Sequence, residues 1–240
     1  MLGRWAVMDA LRRMTNNELP GTWANRNRLK RFRLFRELVE SLEPPIRLLD
    51  VGGTQVFWER MQFADASGVT FTLANINEVA VDRPNFKSIK GDARSLSGLA
   101  DKEFDIVFSN SVIEHVGTFN DQLRMAAEIH RVGMRYFVQT PNRYFPIEPH
   151  FLMPFFQFYP NWLRVWLVKR LDLGWYSAKL ISERDAIESA VNIRLLSRRE
   201  LKRLFPDAVI YKERLLGLAK SFVAYGGAWS IHPRGSNPPR

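Results

Sequence analysis

Between residues 25 and 42, apolar side chains recur at Leu29, Phe32, Phe35, Leu38, Val39 and Leu42. That spacing puts them on one face of a helix. Arg26, Lys30, Arg33 and Glu37 occupy the other face, and Pro44-Pro45 ends the helix. Beyond it the rhythm changes. Short apolar runs at 47–51, 69–74, 86–90, 104–109 and 135–140 alternate with polar stretches of helix or loop length. This alternation predicts βαβ units, and so an α/β fold with a mostly parallel sheet and helices on both faces. At 197–206, "SRRELKRLFP" has Ser197 at an N-cap position and Glu200 three residues on, which predicts a capped helix. Runs at 209–215 and 220–225 predict a closing antiparallel pair at the sheet edge.

Residues 143–194 break the alternation. They are dense in aromatic residues and proline and carry too many charges and breakers for a membrane span, so they predict an inserted cap of short helices. The expected organisation is an N-terminal helical segment (1–46), an α/β core (47–142), a basic, aromatic cap (143–196), a final helix and strand pair (197–227) and a disordered tail (228–240).

Composition changes this picture in two ways. The chain has no cysteine, which removes disulfides, thiolate metal sites and a cysteine nucleophile, and fits a reducing compartment. The net charge of +10 is unevenly spread. Ten basic and five acidic residues fall in 1–47, nine and twelve in 48–142, and sixteen and eight in 143–240. A basic flank draws a phosphorylated substrate, an anionic lipid surface or a nucleic acid, or is simply a solvated surface. The opening "MLGRWAVMDALRRM" has no apolar run of signal-peptide length, so the expected location is cytoplasmic, with contact at the inner membrane surface as an extension.

Candidate chemistry gathers where the runs end. "LLDVGGTQVFW" carries Asp50, Gly52 and Gly53 just past the first run, where an open parallel sheet binds ligands. Asn75-Ile76-Asn77 ends the second run, "GDA" (Gly91-Asp92-Ala93) the third, and "FDIVFSNSVIEHV" contains the fourth with its exit turn. Together these stretches resemble class I S-adenosylmethionine-dependent methyltransferases, particularly the bacterial branch acting on quinones, glycans and other small molecules. The likeness spans residues 48–142. It implies a Rossmann-like seven-stranded sheet with the last strand antiparallel, and S-adenosylmethionine as cofactor. It also implies cofactor contact from Asp50, Gly52, Gly53, Thr54 and Ile76, ribose contact at Asn75, adenine contact at Asp92 and Ala93, and a methionine end lined by Ser109 and Asn110. Two positions depart from the family: Thr54 stands for its second glycine and Asn75 for its usual acid. Val56, Phe57 and Trp58 follow the turn closely, which disfavours a dinucleotide diphosphate and so a dehydrogenase.

For catalysis the candidates are His115 and His150. Glu114-His115 follows the fourth run, and a histidine there either deprotonates an acceptor hydroxyl or holds the loop. Glu148 and His150 sit in the cap, as acid–base groups or as scaffolding between prolines. In some quinone methyltransferases the matching stretch reads Glu-x-x-Glu-His and is associated with a divalent metal. Ser111 stands at its first position here, so no metal is expected. The cluster Phe155, Phe156, Phe158, Tyr159, Trp162 and Trp166 reads as an apolar pocket wall or as the cap's own core, and Trp162 and Trp166 with Arg164, Lys169 and Arg170 as a membrane-surface helix. The resulting expectation is methylation of a small-molecule, lipid-linked or glycan acceptor. An RNA methyltransferase and a degenerate, non-catalytic binding protein are the alternatives.

Overall fold

The computed structural model describes residues 22–174 and 182–229. Most of the expected tail and parts of the N-terminal segment and cap lie outside these residues. Helix α1 (Trp23–Val39) starts at Thr22, whose hydroxyl accepts a hydrogen bond from the Asn25 N–H at 3.1 Å. Its apolar stripe is shorter than the spacing suggested. Phe32, Phe35, Leu38 and Val39 are buried, whereas Leu29 is 45% exposed and Leu42 lies in the turn beyond the helix.

Strands β1 (Ile46–Val51), β2 (Val69–Asn75), β3 (Phe86–Lys90), β4 (Ile106–Asn110) and β5 (Arg135–Pro141) run parallel. Strands β6 (Ile147–Glu148) and β7 (Met153–Pro154) form a separate hairpin. Strand β8 (Val209–Leu215) pairs with β9 (Leu218–Gly227), which runs antiparallel to β5 as well. The sheet order is β3-β2-β1-β4-β5-β9-β8, so the direction of winding reverses between β1 and β4. Phe104 was expected in the fourth strand, but it makes only an isolated bridge to Gly133, and β4 begins two residues later.

Alternation along the strands sorts side chains onto two faces. Leu48, Phe71, Phe108 and Phe137 join α1 and Trp58 of α2 (Gln55–Arg60) in one core. Leu49, Val107, Tyr136 and Val138 join α3 (Phe119–Val132) and α6 (Arg198–Leu204) in the other. The cap holds α4 (Asn161–Arg170) and α5 (Glu183–Asn192) over a third core of Phe151, Phe156, Leu167, Val168, Leu173 and Ala190. It is therefore not purely helical, since the β6–β7 hairpin belongs to it.

The aromatic cluster divides between its two readings. Phe156 is fully buried in the cap core, while Phe155, Phe158, Trp162 and Trp166 are exposed, Trp162 at 72%. Arg164 departs from the membrane-helix grouping. It is only 9% exposed and turned inward, away from the solvent-facing Lys169 and Arg170.

Candidate functional site

The first turn is shaped from below. Asp50, at the end of β1, is 1% exposed, and its carboxylate accepts a hydrogen bond from the Trp58 indole N–H at 2.8 Å. Burial pushes its pKa up to about 7 against the opposing Trp58 bond. A Cβ on Gly53 would fall 1.6 Å from this carboxylate, and one on Gly52 (φ +80°) 2.5 Å from Val112. Both positions therefore require glycine. The bulky residues after the turn do not block it, because Trp58 folds under it into the core.

Above the turn, at the carboxyl ends of β1–β4, lies a cavity of about 540 Å³. Gly52, Asn75, Ile76, Asp92, Ala93 and His115 line it, and so do Arg94, Ser111 and Val112, none of which was expected to touch the cofactor. Ile76 is 59% exposed and offers an apolar face at the rim. The Asn75 side-chain amide donates to the Gly53 carbonyl at 2.9 Å, a bond that the family's usual carboxylate could not make. Asp92 is gripped by Arg94, whose guanidinium donates to it at 2.6–3.1 Å. That hydrogen bond holds the Asp92 pKa below the usual carboxylate range.

Asp50, Gly53, Thr54, Ser109 and Asn110 are not among the cavity walls. Ser109 is buried and donates to the Val51 carbonyl at 3.2 Å. Asn110 accepts from Arg31 of α1 at 3.0 Å, and Arg31 also donates to Glu213 at 2.6 Å. At the exit of β4 it is Ser111, at φ +57° and donating to Gln139, and Val112 that reach the cavity.

On the rim, residues distant in sequence converge. The Nε2 atoms of His115 and His150 lie 3.2 Å apart. His150 Nδ1 is 2.6 Å from Glu148 Oε1, and Glu148 Oε2 accepts the backbone N–H groups of His150 and Phe151. Burial, reinforced by the charge of His150, lowers the pKa of His115 to about 4. Burial acts on His150 in the same sense, but the hydrogen bond and charge of Glu148 and the charge of Glu114 outweigh it, so its pKa is raised. Glu114 is fully buried. Its Oε2 accepts from Thr140 at 3.0 Å and its Oε1 has no partner. Desolvation raises its pKa to about 7. Glu114, His115 and His150 offer ligand atoms within 4.8 Å of one another, a donor set hidden from the linear motif because His150 comes from the cap.

Residues 49–134 match the family model described as a methyltransferase domain. Two curated relatives, uncharacterized proteins from two strains of Mycobacterium tuberculosis, are each 34% identical over 79 residues, 33% of this chain and 26% of theirs. The chain thus matches about a quarter of the length of these relatives. Among solved structures, a protein of Bordetella parapertussis described as a possible exported protein superposes with a TM-score of 0.51 at 14% identity, over 88% of this chain and 70% of that one. An S-adenosylmethionine-dependent methyltransferase from Methanosarcina mazei gives 0.49 at 14% identity, over 79% and 95%. At such identities the likeness concerns the fold alone. The central segment is thus similar to a methyltransferase domain.

Proposed function

We propose that the chain is an S-adenosylmethionine-dependent methyltransferase whose acceptor is a small-molecule, lipid-linked or glycan hydroxyl. The observation that carries this reading is the cavity over the first turn, within the methyltransferase domain, with a paired histidine at its rim. The residues suit this cofactor. Gly52 permits close backbone approach, Ile76 supplies an apolar surface for a purine, and Asp92, held ionised by Arg94, lines the cavity where an adenine amine would have to compete with that pairing. Asn75 can meet a ribose while holding the turn.

When bound, S-adenosylmethionine supplies a methyl group on a sulfonium, which an acceptor displaces. The chain's part is to align the acceptor and take its proton. His115 alone is a weak base at a pKa of about 4, whereas His150 is raised. The pair therefore works as a relay. The acceptor proton goes to His115 Nδ1, the nitrogen not engaged with His150, as the His115 Nε2 proton passes to His150 Nε2. Glu148 holds the resulting imidazolium at Nδ1. His115 meets the acceptor, and His150 with Glu148 sets the basicity.

No helix among the described residues is long and apolar enough to cross a membrane. Exposed Trp162 and Trp166, with Lys169 and Arg170 exposed on the same helix, support peripheral contact with an anionic membrane from the cytoplasmic side. Isothermal titration with S-adenosylmethionine and S-adenosylhomocysteine tests the reading. Saturable binding that NAD does not match is the expected result, and absence of binding, or tighter NAD binding, overturns it. Activity abolished by a chelator and restored by a divalent cation would reassign Glu114, His115 and His150 to a metal.

A further inference from the structure

A second cavity, of about 500 Å³, lies between the start of α3 and the cap. Val116 lines the first cavity and Gly117 the second, so the loop after His115 is their common wall. Three arginines, Arg143, Arg164 and Arg194, line it from separate segments of the chain. Each guanidinium lies over a phenylalanine ring: Arg164 over Phe156 at 5.4 Å, Arg194 over Phe119 at 4.9 Å and Arg143 over Phe158 at 5.9 Å. Stacking of this kind fixes a guanidinium plane and leaves its edge to meet an anion.

The carboxylates nearby do not balance these charges. Asp121, on the cavity wall, already accepts from the Thr118 backbone and hydroxyl and pairs with Arg124. Glu200 lies 2.5 Å from Arg194 and 3.9 Å from Arg143, so one carboxylate serves two arginines. Its other oxygen takes the Ser197 N–H. Arg164 has least of all. It is 91% buried, as its 9% exposure implies, its Nε has no hydrogen-bond partner, and Nη1 reaches only Asn161 at 3.4 Å. Among the described residues no carboxylate lies within ion-pairing distance of it. The field of Glu148 reaches Arg164, but that carboxylate is bound to His150. A buried, unpaired guanidinium is costly unless an anion completes it.

We propose that this cavity is an oxyanion site that takes the phosphate of a phosphate ester. Three guanidiniums exceed what a single carboxylate needs, and the volume leaves room for the organic group attached to a phosphate. The anion sits on the arginine side, because Asp121 and Thr118 already close the α3 N-terminus with a capping box. That the bound ester is the methyl acceptor rests on the methyltransferase reading. The anion site itself does not.

The test is titration of the intact protein with inorganic phosphate at constant ionic strength, read by calorimetry and by thermal shift, with chloride and acetate as controls. Saturable single-site binding, a rise in Tm with phosphate and at least about tenfold weaker binding by Arg164→Gln are expected. S-adenosylmethionine affinity of the variant should be unchanged, which separates failure here from failure of the methyltransferase reading. The thermal shift on the unmodified protein keeps the test decisive should Arg164→Gln fold poorly. Equal shifts with phosphate and acetate, or undiminished phosphate binding by a folded variant, would overturn the proposal. Glycerol 3-phosphate and phosphatidylglycerol vesicles separate the sources. Competition by the soluble ester alone assigns a free phosphometabolite, and competition by vesicles as well assigns a lipid headgroup. Competition by neither overturns the site.

Discussion

The two cavities treat buried charge in opposite ways. Under and beside the first lie two buried carboxylates, Asp50 and Glu114, each with a side-chain donor and each raised to about 7. On the wall of the second lies Arg164, also buried, whose Nε has no partner and whose Nη1 reaches only Asn161 at 3.4 Å. A carboxylate in an apolar setting can shed its charge by taking a proton. An arginine cannot, since its guanidinium stays protonated throughout the working pH range. The cofactor cavity is therefore self-sufficient, and the cap cavity needs an anion from outside.

The largest expected effect separates chemistry from binding at the shared rim. His115→Ala should slow acceptor methylation by about two to four orders of magnitude while leaving cofactor affinity intact. If His150 with Glu148 sets the basicity, kcat/KM should rise with pH through an ionisation above the ordinary histidine value, roughly 6.5. A rise near pH 4 would return the base to His115 alone.

Next in size is the pH dependence of stability from Asp50. Its folded pKa lies above its unfolded value, so its contribution is fully present below about pH 4 and is lost as pH rises toward 7. Glu114 acts in the same sense. His115, whose pKa is lowered, acts in the opposite one, losing its contribution as pH falls through about 4. Asp50→Asn keeps an acceptor for Trp58 and removes the titration. Against the wild type, the variant should gain on the order of 3 kcal/mol between pH 4 and pH 8 in urea unfolding. Parallel pH profiles for the two proteins would show that Asp50 is ionised when folded and erase the contrast with Arg164.

Smaller still, Asp92→Ala should weaken S-adenosylmethionine binding roughly 10- to 100-fold by calorimetry, through loss of a charged hydrogen bond. The smallest effect concerns the cap surface. Lys169→Gln and Arg170→Gln should each cut binding to anionic vesicles by about fivefold, from about 1 kcal/mol per cation. Indifference of the protein to such vesicles at low salt would leave α4 as a purely structural helix.

How much of this was legible in the sequence follows from where each signal resides. The strands could be read because their period of two is local, and 209–215 and 86–90 coincide with β8 and β3. The Ser197–Glu200 capping box is likewise local and is present in the structure. The rim of the first cavity could be read only in part. In "SNSV" the sequence cannot tell which residue turns outward, and the left-handed Ser111 moves the wall beyond Asn110. The His115–His150 contact spans 35 positions and depends on how the cap folds back. Arg164 was hidden most completely. Along α4 the polar and apolar residues do not segregate, so Trp162 and Trp166 face water while the arginine between them is buried.

Arg31 carries a consequence for how the chain acquires its form. From α1 it joins Asn110 at the end of β4 to Glu213 in β8, a partner 182 residues away. The apolar stripe of the same helix packs on Phe108 and Phe137 of β4 and β5. The apolar stripe can thus dock once the central strands are in place, but the Arg31–Glu213 contact waits for the sheet's far edge, and contacts of such long range are slow to close. During synthesis, which proceeds from the N-terminus, α1 leaves the ribosome before β4, β5 and β8, so its phenylalanines are covered first and its Arg31 anchor closes last.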